Sequence, residues 1–478
     1  MSVLGARIGS NRGAFMGSQL GAFGGGVPSG CLAITYARYD YEQPNKLGAL
    51  VGAAEIPADG TFDVPIEDYL LPDYVLPPDQ EIGLRGVLCS ASWDGSAAFA
   101  GGSGYKIARF DQQRNQLWIT DDYPEGWRPV TTTTGLANFP IGRATVMTCP
   151  YNIVYYEGSS SPVANNQRSL FRYNELGGFL GADEPPFAIR TLNNRLAQSY
   201  VDPNVSPWGR IVTTQHGGNN DQKGYWVVIL GRNGAGDNFY SGWQRVASGS
   251  SQSLGPISYH YELDQPNNTF YRCGVEVNPT VPGPHNCGRL SAWSMSYLAP
   301  NPPATTYGVN LTVTDTYDDL INDAACIPYM SKRWDDADSG TRYLYVYAIK
   351  VVVDAEFVPP GDLQYTQYDV HQRLYRIDLD ARQLVATIER TAGAPVSLSP
   401  NSNLTPHPLD IDSTGRVYWA TFDSTLNERE AKTPNGNTGV FAPRVKVECL
   451  SSDLQTTHWS MRGATDEWSR VFSLAVSL

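Results

Sequence analysis

Short alternating runs of apolar and polar residues dominate the chain, and turn residues break them. Residues 105–119 read Tyr-Lys-Ile-Ala-Arg-Phe, then Asp-Gln-Gln-Arg-Asn, then Gln-Leu-Trp-Ile. Residues 374–385 repeat the plan, with an alternating run, a turn opened by Asp378 and a returning run. Looser copies lie at 170–179, 259–270 and 447–456. A second form puts the Asp/Gly turn directly before an apolar strand, at 93–100, 336–347 and 412–420. Period-two alternation marks half-buried strands, and Asp and Gly supply the turn chemistry between them. Helical signals are sparse. The runs 318–325 and 425–432 predict one or two turns each, and neither carries a sustained apolar stripe.

The pattern divides the chain in three. Residues 1–30 are a Gly-rich arm, and 31–84 are a short β segment whose Pro-rich stretch near 71–79 reads as a linker. The recurring hairpins occupy 85–478. Asp59-Gly60, set between β-prone runs, is a hairpin signal. The expected fold class is all-β.

The paired hairpin forms resemble β-propeller blades. Residues 412–420 look like the strand motif of NHL-type or gluconolactonase-like propellers, and 374–385 are similar to the strand, Asp, turn, strand unit of quinoprotein-like propellers. The resemblance implies about six to eight irregular blades with insertions across the third region. The arm and a few strands would precede them.

Composition narrows the classes. Of 478 residues only 17% are charged, with 46 Gly, 33 Pro, 28 Tyr and 11 Trp, while 41% are hydrophobic. This excludes a coiled coil and a disordered acidic tail. No apolar run is long enough for a transmembrane helix. A net charge of −13 argues against a general nucleic-acid binder. The seven cysteines form no Cys-x-x-Cys pair and read as mostly free thiols of a reducing compartment. Cys273 and Cys287 are near enough in sequence to close a loop, and spacing alone does not pair them. Residues 1–27 lack the continuous apolar core of a signal peptide, so no cleavage is expected.

The search for chemistry returns few motifs. The sequence has no nucleophile elbow, metalloprotease helix, phosphate loop or dinucleotide fingerprint. The six histidines are dispersed. Asp336-Ala-Asp338-Ser-Gly340 resembles a calcium loop and also the structural Asp-box of sialidases. Asp336 and Asp338 are therefore the candidate metal ligands, against the simpler reading of a polar turn in which Asp caps backbone amides. No other cofactor is expected. Carboxylate pairs at Asp183-Glu184, Asp318-Asp319 and Asp466-Glu467 read as solvated turns. Trp226, Tyr240, Trp243, Trp419 and Trp459 are candidates either for stacking sugars or for packing between blades.

Together these features resemble the type and composition of a bacteriophage virion structural protein. The resemblance implies a non-enzymatic tail component, assembled in the host cytoplasm and localised to the virion. Its partners would be other virion proteins and copies of itself. The arm would dock on a neighbouring subunit, burying Phe15, Met16, Leu20 and Phe23. The alternative is a surface-exposed propeller that binds or cleaves carbohydrate, such as a host glycan. A second alternative is a subunit of a cellular filament or surface layer.

Overall fold

In the computed structural model, the described residues are 31–39, 47–62, 64–65, 70–75, 87–91, 97–101, 106–111, 115–120, 146–148, 154–159, 168–173, 176–183, 195–200, 210–216, 224–232, 239–248, 257–264, 267, 269–277, 286–297, 309–321, 326–353, 368–392, 408–422, 431–432, 438–439, 445–462 and 468–477. The arm 1–30, with Phe15, Met16, Leu20 and Phe23, lies outside them.

Among the described residues the chain is all-β, in seven sheets of four or five strands and one two-stranded ribbon, Ala431–Lys432 with Thr438–Gly439. Sheet 1 runs Trp468–Ser477, Cys31–Tyr39, Leu47–Glu55, Leu70–Val75. Sheet 2 runs Val87–Ala91, Ala97–Gly101, Lys106–Phe110, Gln116–Thr120. Sheet 3 runs Val146–Thr148, Val154–Ser159, Arg168–Tyr173, Phe179–Asp183, and sheet 4 runs Arg195–Tyr200, Arg210–His216, Gly224–Arg232, Phe239–Ser248. Sheet 5 runs Ile257–Asp264, Thr269–Val277, Asn286–Tyr297, Val309–Thr316. Sheet 6 runs Cys326–Asp335, Arg342–Val353, Tyr368–Asp378, Gln383–Ala392. Sheet 7 runs Leu409–Ile411, Val417–Phe422, Val445–Leu450, Thr457–Arg462, with Val64–Pro65 added in parallel.

In sheets 2 to 6, and in sheet 7 apart from Val64–Pro65, the strands follow one another as an antiparallel meander. First strands lie against first strands of the neighbouring sheets. Cys326–Asp335 touches Ile257–Asp264 on one side and Leu409–Ile411 on the other, and Trp468–Ser477 touches both Leu409–Ile411 and Val87–Ala91. Sheets so arranged about their first strands form a propeller-type architecture. Sheet 1 is the exception to chain order. The last strand pairs with the first along its length, Cys31 opposite Ser477 and Tyr39 opposite Trp468. Cys31–Tyr39, Leu47–Glu55 and Leu70–Val75, the last overlapping the stretch read as a linker, thus share a sheet with the end of the chain.

The core lies between sheets and follows from the alternation. In Tyr343-Leu-Tyr-Val-Tyr-Ala348, Leu344, Val346 and Ala348 face sheet 5 beside Tyr271, Cys273 and Leu290. Tyr345 and Tyr347 face sheet 7 beside Leu409, Val417 and Trp419. Of the helical run 318–325, the described part 318–321 is a single turn, in which Leu320 and Ile321 N–H donate to Tyr317 O at 3.1 and 3.4 Å, and 322–325 lie outside the described residues. Of the other helical run, Ala431–Lys432 is a strand, and 425–430 lie outside the described residues.

Candidate functional site

The best-defined features cluster where first strands meet second strands and third strands meet fourth. Asp residues open these turns and satisfy their backbone. In 336–341, Asp336 Oδ1 accepts Asp338 N–H at 3.0 Å, its Oδ2 accepts Ser339 Oγ–H at 2.7 Å, and Gly340 takes φ +72°. In 378–382, Asp378 Oδ1 accepts the N–H groups of Asp380 and Ala381 at 2.9 and 2.8 Å. In 412–416, Asp412 Oδ1 accepts Thr414 and Arg416 N–H, while its Oδ2 accepts Tyr418 Oη–H at 2.8 Å. These are side-chain-capped turns, the chemistry for which Asp is selected there.

The same turns reach into neighbouring sheets. Asp264, fully buried at the end of its strand, accepts Arg333 Nη1 at 2.7 Å from sheet 6 and Asn267 Nδ2 at 2.9 Å. Arg333 also binds Asp335. Arg382 reaches back to sheet 5, donating to Asp315 Oδ2 at 2.9 Å, to both Asp319 oxygens at 2.9 Å and to Thr316 O at 2.6 Å. It does so from a left-handed backbone, φ 50°, uncommon for a residue with a side chain. At the next seam the Trp334 indole lies over Gly415. A Cβ at Gly415 would come within 2.4 Å of that ring, so the closeness of the sheets requires glycine there. Trp118 of sheet 2 packs on Gly177 of sheet 3 in the same way.

Nearer the first strands, Lys332 Nζ is 3.1 Å from Asp410 Oδ1, and Asp410 Oδ2 accepts Val476 N–H at 2.9 Å. One buried carboxylate therefore ties together the first strands of sheets 6, 7 and 1. Glu448, also buried, sits between Arg390 Nε at 2.9 Å and Lys446 Nζ at 2.7 Å.

The electrostatics match stabilisation of charge rather than proton transfer. The Arg382 hydrogen bond holds the Asp319 carboxyl below the usual carboxylate range. The Ser339 hydroxyl does the same for Asp336, and the Ser451 hydroxyl for Asp453. Burial pushes the Cys273 and Cys449 thiols up to about 12. Carboxylates held ionised by donors are poor general acids, and thiols raised by burial are poor nucleophiles.

The candidate metal ligands fall in the capped turn. Both oxygens of Asp336 are engaged by the turn itself. Among the described residues no group of three His, Cys, Asp or Glu is placed to hold a metal ion. Cys273 is a free buried thiol opposite Leu290 in the sheet, so it forms no bridge with Cys287. Of the candidate sugar-stacking aromatics, Trp419 and Trp459 are fully buried between sheets and cannot meet a sugar from solvent. Trp226, Tyr240 and Trp243 lie in sheet 4, where only the backbone pairing is described. Asp318 is half-buried and Asp319 exposed, in keeping with a solvated turn, and both carboxylates are engaged. Asp318 Oδ1 accepts Leu290 N–H at 2.9 Å and Asp319 binds Arg382. Glu184, Asp466 and Glu467 lie outside the described residues. No helix among the described residues is long and apolar enough to cross a membrane.

No family model matches the chain, and no curated protein matches it. Solved structures similar to it include a family 43 β-1,3-galactosidase, at 10% identity and TM-score 0.28, covering 68% of this chain and 64% of that one. A second is the WD40 domain of SCAP from fission yeast, at 10% identity and TM-score 0.30, covering 79% and 87%. A third is an N-acetylgalactosamine deacetylase from F. plautii, solved with blood group B trisaccharide, at 11% identity and TM-score 0.23, covering 87% and 95%. Scores at this level transfer no site residue and no substrate. The comparisons lend no support to a phage-tail role.

Proposed function

We propose that the chain is a seven-bladed propeller that recognises carbohydrate through the end of the ring where its long connections emerge. The supporting observation is the unequal division of connections between the two ends of the sheets. In an antiparallel four-stranded sheet, first-to-second and third-to-fourth connections share one end, and the remaining connections share the other. The first end has short connections at 265–268, 336–341, 379–382, 412–416 and 451–456, with 56–69, which carries Val64–Pro65, the longest. From the second end leave 121–145, 354–367, 393–408 and 423–444. Rigid scaffolds carry recognition on such connections.

Carbohydrate is the ligand class because those connections combine aromatic residues (Trp127, Phe357, Tyr365) with carboxylates (Asp354, Glu428, Glu430) and many amides and hydroxyls. Aromatic faces stack on sugar rings, and carboxylates and amides accept their hydroxyl protons. The tight-turn end serves as scaffold, since its Asp and Arg groups are bound to one another.

A glycan array probed with the full chain tests the reading. Retained binding to at least one oligosaccharide is expected, with a tenfold or greater loss when 423–444 is replaced by a Gly-Ser segment of equal length. Absence of binding across the array overturns it. Reducing-end release from the bound glycan separates cleavage from binding alone.

A further inference from the structure

We infer that residues 56–65 form a strap that closes the ring a second time and covers the outer edge of sheet 7. This goes beyond the carbohydrate reading and does not depend on it. The strap leaves the third strand of sheet 1, crosses to the neighbouring sheet and lays Val64–Pro65 in parallel beside Met461 and Arg462. Gly60 N–H donates to His458 O at 2.7 Å, and Ser460 N–H donates to Thr61 O at 3.2 Å. Ile56 and Val64 pack on the seam cluster of Leu32, Trp459, Met461 and Leu474. At the tip, Asp59 accepts both terminal nitrogens of Arg416 at 2.9 and 3.0 Å and lies 3.5 Å from His458 Nδ1.

An outer strand presents a row of unpaired N–H and C=O groups, a template for pairing with another chain. In sheet 7 the strap occupies that row. Pro65 has no N–H to offer onward, so the added strand is itself a blunt edge. The attachment is of a kind that can release. Besides the packing of Ile56 and Val64, it rests on a two-residue ladder, two turn hydrogen bonds and a forked ion pair whose carboxylate side chain is 53% exposed. When the strap is released, the freed edge of Thr457–Arg462 is open to pairing with a second copy of this chain.

Amide exchange on the full chain tests this, because the Ser460 N–H reports the strap directly. Gly60 has φ +80° with nothing within 4 Å of an added Cβ, so Gly60→Val strains only the backbone. Gly60→Asn tolerates the same conformation and serves as control. At least tenfold faster Ser460 exchange is expected in Gly60→Val and in Asp59→Ala, with near-native exchange in Gly60→Asn and in Val445–Leu450. Concentration-dependent association should accompany the faster exchange. Unchanged Ser460 exchange in both variants, or equal acceleration throughout sheet 7, overturns the inference.

Discussion

The seam between sheets 5 and 6 and the seam between sheets 6 and 7 are built on opposite faces of one sheet, yet they are held differently. Sheet 6 turns Leu344, Val346 and Ala348 toward sheet 5 and Tyr345 and Tyr347 toward sheet 7. Toward sheet 7, interlocking rings stand beside two ion pairs, Lys332 with Asp410 and Arg390 with Glu448. Trp419 meets Tyr347 edge-on at 6.5 Å, and the Trp334 ring fills the space over Gly415. Toward sheet 5, the aliphatic row of sheet 6 meets Tyr271 and Tyr317, and charges complete the alignment. Asp264 grips Arg333 inside, and Arg382 grips Asp315 and Asp319 outside. The lesson is that both seams carry ion pairs, and that toward sheet 7 the alternating strand adds an aromatic ring seated over glycine.

That contrast can be broken most strongly from within. Asp264→Ala leaves the buried Arg333 guanidinium with Asp335 as its remaining carboxylate, a loss of about 3–5 kcal/mol in chemical denaturation. Trp419→Ala, which empties the aromatic seam, is expected to cost a similar ~3–5 kcal/mol. Next is Gly415→Ala, about 2–4 kcal/mol, since the methyl meets the Trp334 ring and the backbone is left-handed. If Gly415→Ala costs nothing, the ring seated over glycine does not hold the seam.

Acid should act on the charged links before the aromatic ones. The Asp319 carboxyl, which links sheets 5 and 6, and the turn-capping Asp336 and Asp453 carboxyls have folded pKa values below their unfolded ones. Their contribution is therefore complete above the ordinary carboxylate pKa and is lost as pH falls through the folded values. A stability profile that falls only as pH drops below the carboxylate range is expected. The smallest effect is that of Arg382→Ala. Its melting-temperature decrease should be modest at low salt and should vanish near ~1 M salt, where exposed charges are screened. A decrease independent of salt would make Arg382 a packing residue. Cys273 and Cys449, pushed up to about 12 by burial, should react with a thiol reagent only at the rate of unfolding.

Much of this architecture is legible in the sequence because its parts are local. Alternation and Asp turns at 105–119, 374–385 and 412–420 coincide with hairpins of sheets 2, 6 and 7. The pairing of Cys31–Tyr39 with Trp468–Ser477 is not legible, because the partners come from opposite ends of the chain and neither strand's own pattern names the other. The same holds for Arg382 with Asp319 and for Arg416 with Asp59. Each reads locally as an ordinary polar turn residue. Trp419 and Trp459 read equally as sugar platforms or wedges between sheets. Only the packing of sheet on sheet places them inside. The candidate recognition residues stand in connections whose lengths, rather than any motif, draw attention to them.

The most direct test of the account is amide exchange of the intact protein with and without an oligosaccharide that it binds. Protection confined to the 121–145, 354–367, 393–408 and 423–444 connections is the predicted result. Protection confined to the 336–341, 379–382, 412–416 and 451–456 turns would contradict it.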